Sequence, residues 1–164
     1  MLGRGDDARL RALEQLYRAR YPYFLRIAMA IVDDEDRARD AVQDGFAAAM
    51  RNRRAFRGEG ALDGWVWRIV VNAARQNARV ATLVDSDALA FFSEVNGEVD
   101  DEFGVRRWIA ALPERQRLAV FLRYFADLDY RTIAVALDVE IGTVSATLNA
   151  AHSNLRQMLS EVSS

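Results

Sequence analysis

The chain has 164 residues, of which 51% are hydrophobic, and a formal net charge of -2, so it can bury the core of one domain or of two small ones. It contains no cysteine and a single histidine, which excludes a disulfide framework and a Cys/His zinc site. The charged N-terminus lacks the apolar core of a secretory signal, and no apolar stretch reaches the roughly 18 residues that a membrane helix needs. We therefore expect a cytoplasmic protein without membrane insertion.

The distribution of residue types predicts the fold class and the domain organisation. Strand patterns are nearly absent while Ala, Leu and Arg dominate, which predicts an all-α fold. All 22 basic residues are arginine, yet residues 80–105 hold seven acidic and no basic residues. We predict two small helical domains, an N-terminal bundle over residues 7–80 and a helix-turn-helix domain over residues 106–161, joined by an acidic linker over residues 81–105.

The first half of the N-terminal bundle is predicted to hold two helices. Apolar spacing indicates the first, in which Pro22 marks a break or a kink. The second starts near Asp34, which can cap it and is followed by further acidic residues. Winding this helix at about 100° per residue places an acidic side opposite an apolar one. That acidic side is either solvated or a docking surface for a basic partner, and it holds Asp36, Asp40, Gln43 and Asp44.

A third helix, over about residues 62–80, follows the basic and glycine-rich loop RNRRAFRGEGALDG. It is apolar around most of its circumference, with Trp65 and Trp67 pointing to different sides. Its remaining polar residues are spaced four, three and four apart and therefore form one stripe, which consists of Arg68, Asn72, Arg75 and Arg79. The stripe is either a solvated edge beside core tryptophans or a nucleic-acid-binding edge bordered by Trp65.

The C-terminal domain has clearer helix boundaries. Pro113 suits the first turn of one helix, and Asp129 can cap a short helix over residues 130–137. The segment DVEIG then forms a turn, and a last helix begins at about Thr143. In a helix-turn-helix, outward positions at the start of the last helix reach the major groove. Here those positions are Ser145, Ala146, Thr147 and Asn149.

Over residues 13–159 the chain resembles RNA polymerase sigma factors of the extracytoplasmic-function group. Three segments carry the resemblance in the family's order: DRARDAVQDGFAAA, FRGEGALDGWVWRIVVNAAR and ALPERQRLAVFLRYFADLDYRTIAVALDVEIGTVSATL. The resemblance implies a factor that binds core RNA polymerase and directs promoter-specific initiation. It implies promoter DNA as the second partner and allows for an anti-sigma factor. It implies no cofactor, and no catalytic or metal-binding residue.

The resemblance also implies a role for each group of residues. The acidic side, with Asp36, Asp40, Gln43 and Asp44, would bind the basic coiled coil of the polymerase clamp. The loop and the stripe would capture the melted promoter element through Phe56, Arg57, Trp65, Arg68, Asn72, Arg75 and Arg79. The last helix would read the upstream element through Thr143, Ser145, Ala146, Thr147 and Asn149.

The last helix departs from the family's pattern in its charge. Family members carry several basic residues there, whereas this chain has Ser145, Thr147, Ala150 and His152, which weakens phosphate binding. Two alternatives therefore remain beside an active sigma factor. One is a sigma-like decoy or adaptor that binds polymerase or an anti-sigma protein without upstream recognition, and the other is a stand-alone helix-turn-helix regulator. An enzyme is disfavoured, because the sequence shows no plausible nucleophile–base pair.

Overall fold

The computed structural model describes residues 3–32, 34–58, 61–81 and 105–164, and all the regular elements in these ranges are helical. The prediction of an all-α fold is thus confirmed. The predicted linker falls mainly on residues 82–104, outside the described residues, so the domain boundaries remain a prediction. In chain order the elements are α1 (Arg4–Val32), α2 (Glu35–Arg51), a 3-10 turn (Arg53–Ala55), α3 (Leu62–Ala81), α4 (Val105–Ala111), α5 (Glu114–Val120) with a π-helical turn after it (Phe121–Phe125), α6 (Tyr130–Leu137) and α7 (Ile141–Val162).

Helix α1 continues through Pro22, so the chain does not break at this position. Proline lacks the N–H that would bond to the carbonyl of Arg18, a loss that ordinarily weakens a helix interior. Pro22 is exposed, however, so water can donate a hydrogen bond to that carbonyl. Buried residues on both sides of the proline, Leu13 before it and Phe24 after it, pack α1 onto the bundle. Tertiary packing therefore outweighs the local preference.

Helices α1, α2 and α3 form a three-helix bundle around a group of aromatic rings. Phe24 stacks on Trp67 with ring centroids 3.9 Å apart and meets Phe46 edge to face at 5.0 Å. Helix α2 approaches α3 closely at Gly45, where a Cβ atom would lie 2.7 Å from Val70 Cγ2. This close packing fixes the position of α2 relative to α3, and with it the relation between their outward-facing sides.

Helices α4 to α7 form the second helical unit, in which α6 and α7 are the helix-turn-helix. Asp129 caps α6 as predicted, and its carboxylate accepts a hydrogen bond of 2.7 Å from the backbone N–H of Thr132. The two helices enclose a bend of 97°, within the roughly 90–120° of this motif. Within the described ranges, no single helix is long and apolar enough to cross a membrane, and only the bent α6–α7 pair taken together has the length and composition.

The two helical units pack against each other and share one apolar core. Helix α3 lies at their junction and contacts α6 as well as its own bundle. At Gly64 the approach is so close that an added Cβ would lie 3.1 Å from Val135 Cβ. A second link joins α1 to the segment after α5, where Arg20 donates a hydrogen bond of 2.7 Å to the carbonyl of Ala126. We call this junction of α3 with the second unit the seam.

Candidate polymerase and nucleic-acid interfaces

The acidic side of α2 is exposed along its length. Helix α2 begins where predicted, with the Asp34 carboxylate accepting a hydrogen bond of 2.9 Å from the backbone N–H of Arg37. Asp36, Asp40 and Asp44 follow at intervals of four residues and form one row, and none of them makes an ion pair within the described part of the chain. Gln43 is exposed beside this row. The row, with Gln43, is called the acidic row below.

The loop after α2 begins with arginines that are anchored to α1. Arg53 Nη2 donates a hydrogen bond of 2.8 Å to Asp6 Oδ2, and Arg54 lies 3.4 Å from the same oxygen. Asp6 is 8% exposed, and its hydrogen bond from Arg53 holds the pKa of this carboxyl below its ordinary value. This anchor was not predicted from the sequence, because no periodicity links two residues 47 positions apart.

Beyond the anchored turn, two aromatic rings lie at the start of α3. The centroids of Phe56 and Trp65 are 5.6 Å apart, and both side chains are half-buried. Arg57 follows and is exposed, and Gly58 adopts a φ of 77°, which favours glycine. Trp67, in contrast, is fully buried in the bundle. The two tryptophans therefore point to different sides as predicted, and only Trp65 is accessible to a ligand.

The stripe on α3 lies along the seam. Arg68 Nη2 is 3.1 Å from Asp138 Oδ2, and Arg75 Nε is 2.8 Å from Glu114 Oε1. Asn72 is exposed between these ion pairs, whereas the side chain of Arg79 lies outside the described structure. The alignment of Arg68, Asn72 and Arg75 agrees with the predicted stripe. Their acidic partners were not foreseen, since they follow 70 and 39 residues later in the chain.

One further polar residue extends the stripe. Gln76, four residues after Asn72, is exposed and continues the outermost row of α3. Gln76 was not among the predicted residues, although its spacing of four residues from Asn72 places it on the same side of the helix. An amide at this position adds both a hydrogen-bond donor and an acceptor to a surface that otherwise presents mainly arginines.

The first turns of α7 present the residues expected to read the upstream element. Ala146 and Asn149 are exposed, while Thr143, Ser145 and Thr147 are half-buried beside the buried Val144 and Leu148. The helix begins at Ile141, two residues before the predicted start. Arg131, in the first turn of α6, is exposed and was not considered from the sequence. The first helix of a helix-turn-helix crosses the DNA backbone, so an arginine there suits a phosphate contact.

Comparisons with known proteins identify the family of the chain. Residues 16–82 match the family described as Sigma-70 region 2, and residues 104–155 match Sigma-70, region 4. The chain is 32% identical over 163 residues to the RNA polymerase sigma-H factor of Pseudomonas aeruginosa, which covers 88% of this chain and 83% of that protein. It is 30% identical over 151 residues to the ECF RNA polymerase sigma factor SigM of Mycobacterium tuberculosis, with 90% and 77% covered.

The fold also has a counterpart among solved structures. The chain is similar to the sigma factor RpoE in its co-crystal structure with the anti-sigma factor NepR from Bartonella quintana, with a TM-score of 0.70 and 22% sequence identity. The match covers 92% of this chain and 98% of that one. At this level of identity the likeness shows that the two chains share a fold.

Proposed function

The chain belongs to the extracytoplasmic-function group of RNA polymerase sigma factors, and on this premise we propose that it acts through three separate surfaces. As a member of this family it binds core RNA polymerase and directs promoter-specific initiation of transcription. The acidic row would bind polymerase, the stripe with Phe56 and Trp65 would hold melted promoter DNA, and the start of α7 would read the upstream element. This function needs binding surfaces and no covalent step. It would be carried out in the cytoplasm, where polymerase and promoters are located.

The observation that carries the proposal is that the acidic row makes no ion pair within the described residues. Like charges four residues apart on a helix destabilise it by about 0.2–0.5 kcal/mol per pair. Asp36, Asp40 and Asp44 form two such pairs without an ion partner in the described residues. A basic helix of polymerase docked on this row would supply ion-pair partners and gain affinity from them.

The polymerase-binding role is tested by charge reversal. A double Asp40→Arg/Asp44→Arg variant is expected to lose about tenfold or more in affinity for core polymerase, measured by fluorescence anisotropy. The control is Asp7→Arg/Glu14→Arg, in which the net charge changes equally at two exposed residues of α1 in the same bundle. It also removes the exposed ion pair between Glu14 and Arg18, which lies outside the acidic row. Equal affinity of both double variants for core polymerase would remove the acidic row from the proposal.

The DNA-melting role rests on the half-buried aromatic pair beside the stripe. Extruding a base costs a few kcal/mol, and stacking it on an aromatic ring returns about 1–3 kcal/mol. Phe56 and Trp65 supply such rings at one end of α3, and the stripe supplies donors for the strand that follows. We expect Phe56→Ala and Asn72→Ala each to reduce open-complex formation, measured by permanganate reactivity of unpaired thymines. Gln15→Ala, which removes an exposed amide from α1, is the control and is expected to retain it.

Upstream recognition would rely on short polar side chains with limited electrostatic support. Polymerase holds the factor near the promoter, and a tethered site acts at about millimolar effective concentration, so weak contacts suffice. Arg131→Ala is expected to lower the salt slope of holoenzyme–promoter binding by about one unit, since one phosphate contact is lost. Arg11→Ala, on the exposed surface of α1, should leave the slope unchanged. Equal slopes for the two variants would exclude Arg131 as a DNA contact.

The whole proposal is tested by in vitro transcription with core polymerase and a library of genomic promoters. Promoter-specific transcripts are expected only when the protein is added. Binding to polymerase without any transcript would instead support the decoy. An anti-sigma partner is a further proposal, supported by the fold shared with RpoE in its complex with NepR.

A further inference from the structure

The loop that would capture the melted promoter element is tied to a buried carboxylate on α1. Arg53 Nη2 donates a hydrogen bond of 2.8 Å to Asp6 Oδ2, and Arg53 Nε lies 2.8 Å from Asp6 Oδ1, so the planar guanidinium faces the carboxylate with two of its atoms. Phe56 follows Arg53 by three residues. Resting on the proposed function of Phe56, we propose that Asp6 is a positioning residue, which holds this loop in the conformation that receives the extruded base.

The first turns of α1 bury little apart from this carboxylate. Of the described residues before Leu13, only Asp6 is buried, and the hydrophobic core begins at Leu13. Asp7 lies in the same first turn, where a negative charge is favourable, but it is exposed and makes no ion pair in the described ranges. Residues 16–82 match Sigma-70 region 2, so Asp6 precedes the matched segment. The contact of Asp6 with the loop is therefore more than a helix-end charge.

The 3-10 turn that begins at Arg53 depends on this contact for its position. Asn52, which precedes the turn, makes no side-chain capping hydrogen bond. Arg53 instead links two helices, because its Nη1 donates a hydrogen bond of 2.7 Å to the carbonyl of Met50 on α2 while Nη2 bonds to Asp6 on α1. Without the carboxylate, Arg53 and Arg54 would be neighbouring like charges with no acidic partner in the described residues. Their repulsion would favour other conformations of the turn.

A loop that is already ordered binds its ligand more tightly than one that becomes ordered on binding. Fixing one rotamer-rich side chain on association lowers affinity by about 2- to 10-fold, and only molecules in the competent conformation can bind. We therefore expect Asp6→Asn to reduce open-complex formation by about 2- to 10-fold, measured by permanganate reactivity of unpaired thymines. The matched control, Asp7→Asn, removes the same charge from the same helical turn and should retain open-complex formation.

The order of the loop is measured directly on the full chain, without polymerase or DNA. Because the chain has no cysteine, Ala55→Cys in the exposed turn provides a single site for a spin label, and Gln15→Cys on α1 provides a reference site. Asp6→Asn should raise the mobility of the label at residue 55 alone, and Asp7→Asn should alter neither label. Arg53→Lys, which keeps the charge but lacks the planar fork, should also mobilise residue 55. Unchanged mobility at residue 55 in both Asp6→Asn and Arg53→Lys would overturn the proposal.

A double-mutant cycle separates positioning from a general contribution to stability. Open-complex formation is compared in the parent, Asp6→Asn, Phe56→Ala and the double variant. If Asp6 acts through Phe56, its replacement has little further effect once the ring is absent, whereas a general loss of stability would add to the loss from Phe56→Ala. Equal losses from Asp6→Asn in the presence and absence of the ring would show that Asp6 does not position Phe56.

Two further outcomes distinguish positioning by Asp6 from the DNA-binding role of Phe56. If Phe56→Ala reduces promoter opening while Asp6→Asn changes neither opening nor label mobility, the role of Phe56 stands and positioning by Asp6 is wrong. If Asp6→Asn mobilises the loop but Phe56→Ala opens the promoter as well as the parent does, the proposed role of Phe56 in DNA binding fails, and positioning for base capture fails with it.

Discussion

The close contact between α2 and α3 makes Gly45→Ala a sensitive test of the bundle. The added Cβ would lie 2.7 Å from Val70 Cγ2 and 3.0 Å from Val70 Cα. Ordinary carbon–carbon contacts are about 3.5–4.0 Å, so the gap is short by roughly 1 Å. The Val70 side chain can rotate, but the backbone Cα cannot move without displacing α3. The helices must therefore separate.

The expected magnitude follows from two opposing terms. Overpacking a core costs about 1–3 kcal/mol, while replacing glycine with alanine inside a helix returns about 0.5–1 kcal/mol. Since one clashing atom belongs to the backbone, the overpacking cost exceeds the gain, and we expect a net loss of about 1 kcal/mol or more in the free energy of unfolding. The melting temperature would fall by about 2–4 °C per kcal/mol.

Urea denaturation followed by circular dichroism measures this loss. The matched control is Gly142→Ala near the start of α7, where an added Cβ meets nothing within 4 Å. It should be as stable as the parent, or more stable by up to about 1 kcal/mol. If Gly45→Ala proves as stable as Gly142→Ala, the described approach of α2 to α3 is wrong.

Other predictions concern the core and two carboxylates. Phe24→Ala, which deletes the ring stacked on Trp67, should lower the free energy of unfolding by about 3–5 kcal/mol in the same assay. Asp129→Ala should cost about 0.5–2 kcal/mol, whereas Asp129→Asn keeps the cap of α6. Hydrogen bonds from Thr132 lower the pKa of the Asp129 carboxyl in the folded protein. The ionised carboxylate therefore stabilises the fold above the unfolded pKa of about 3.9, and this stabilisation is lost as the pH falls through the lower pKa of the folded state. Below about pH 4 the parent should therefore lose more stability than Asp129→Asn. The hydrogen bond from Arg53 also lowers the pKa of Asp6, so the stability that this carboxylate contributes is likewise lost as the pH falls. The stability advantage of the parent over Asp6→Asn should therefore shrink in the same acidic range.

Local chemistry made several helix boundaries predictable from the sequence. Asp34 and Asp129 each precede a helix and accept a hydrogen bond from the backbone N–H three residues later, which is a property of short segments. The stripe on α3 was likewise predictable, since helical periodicity alone aligns Arg68, Asn72 and Arg75.

Features that depend on distant residues were not predictable from local patterns. The continuation of α1 through Pro22 follows from packing on other helices. The partners of Arg68 and Arg75, and the anchoring of Arg53 by Asp6, join residues 39 to 70 positions apart. An arginine that forms an ion pair with a distant residue cannot be told from an unpaired one in the sequence. The stripe could therefore be predicted, but the ion pairs of its arginines could not.

The proposed contact between the exposed side of α3 and melted promoter DNA can be measured directly. The most direct measurement places a photo-crosslinking amino acid at Asn72, between the two ion pairs, and maps its products in the polymerase open complex. We expect crosslinks to the non-template strand within the melted region, and none from the same label at Gln15 on α1. Open complexes that form normally but give no crosslink from position 72 to DNA would contradict it.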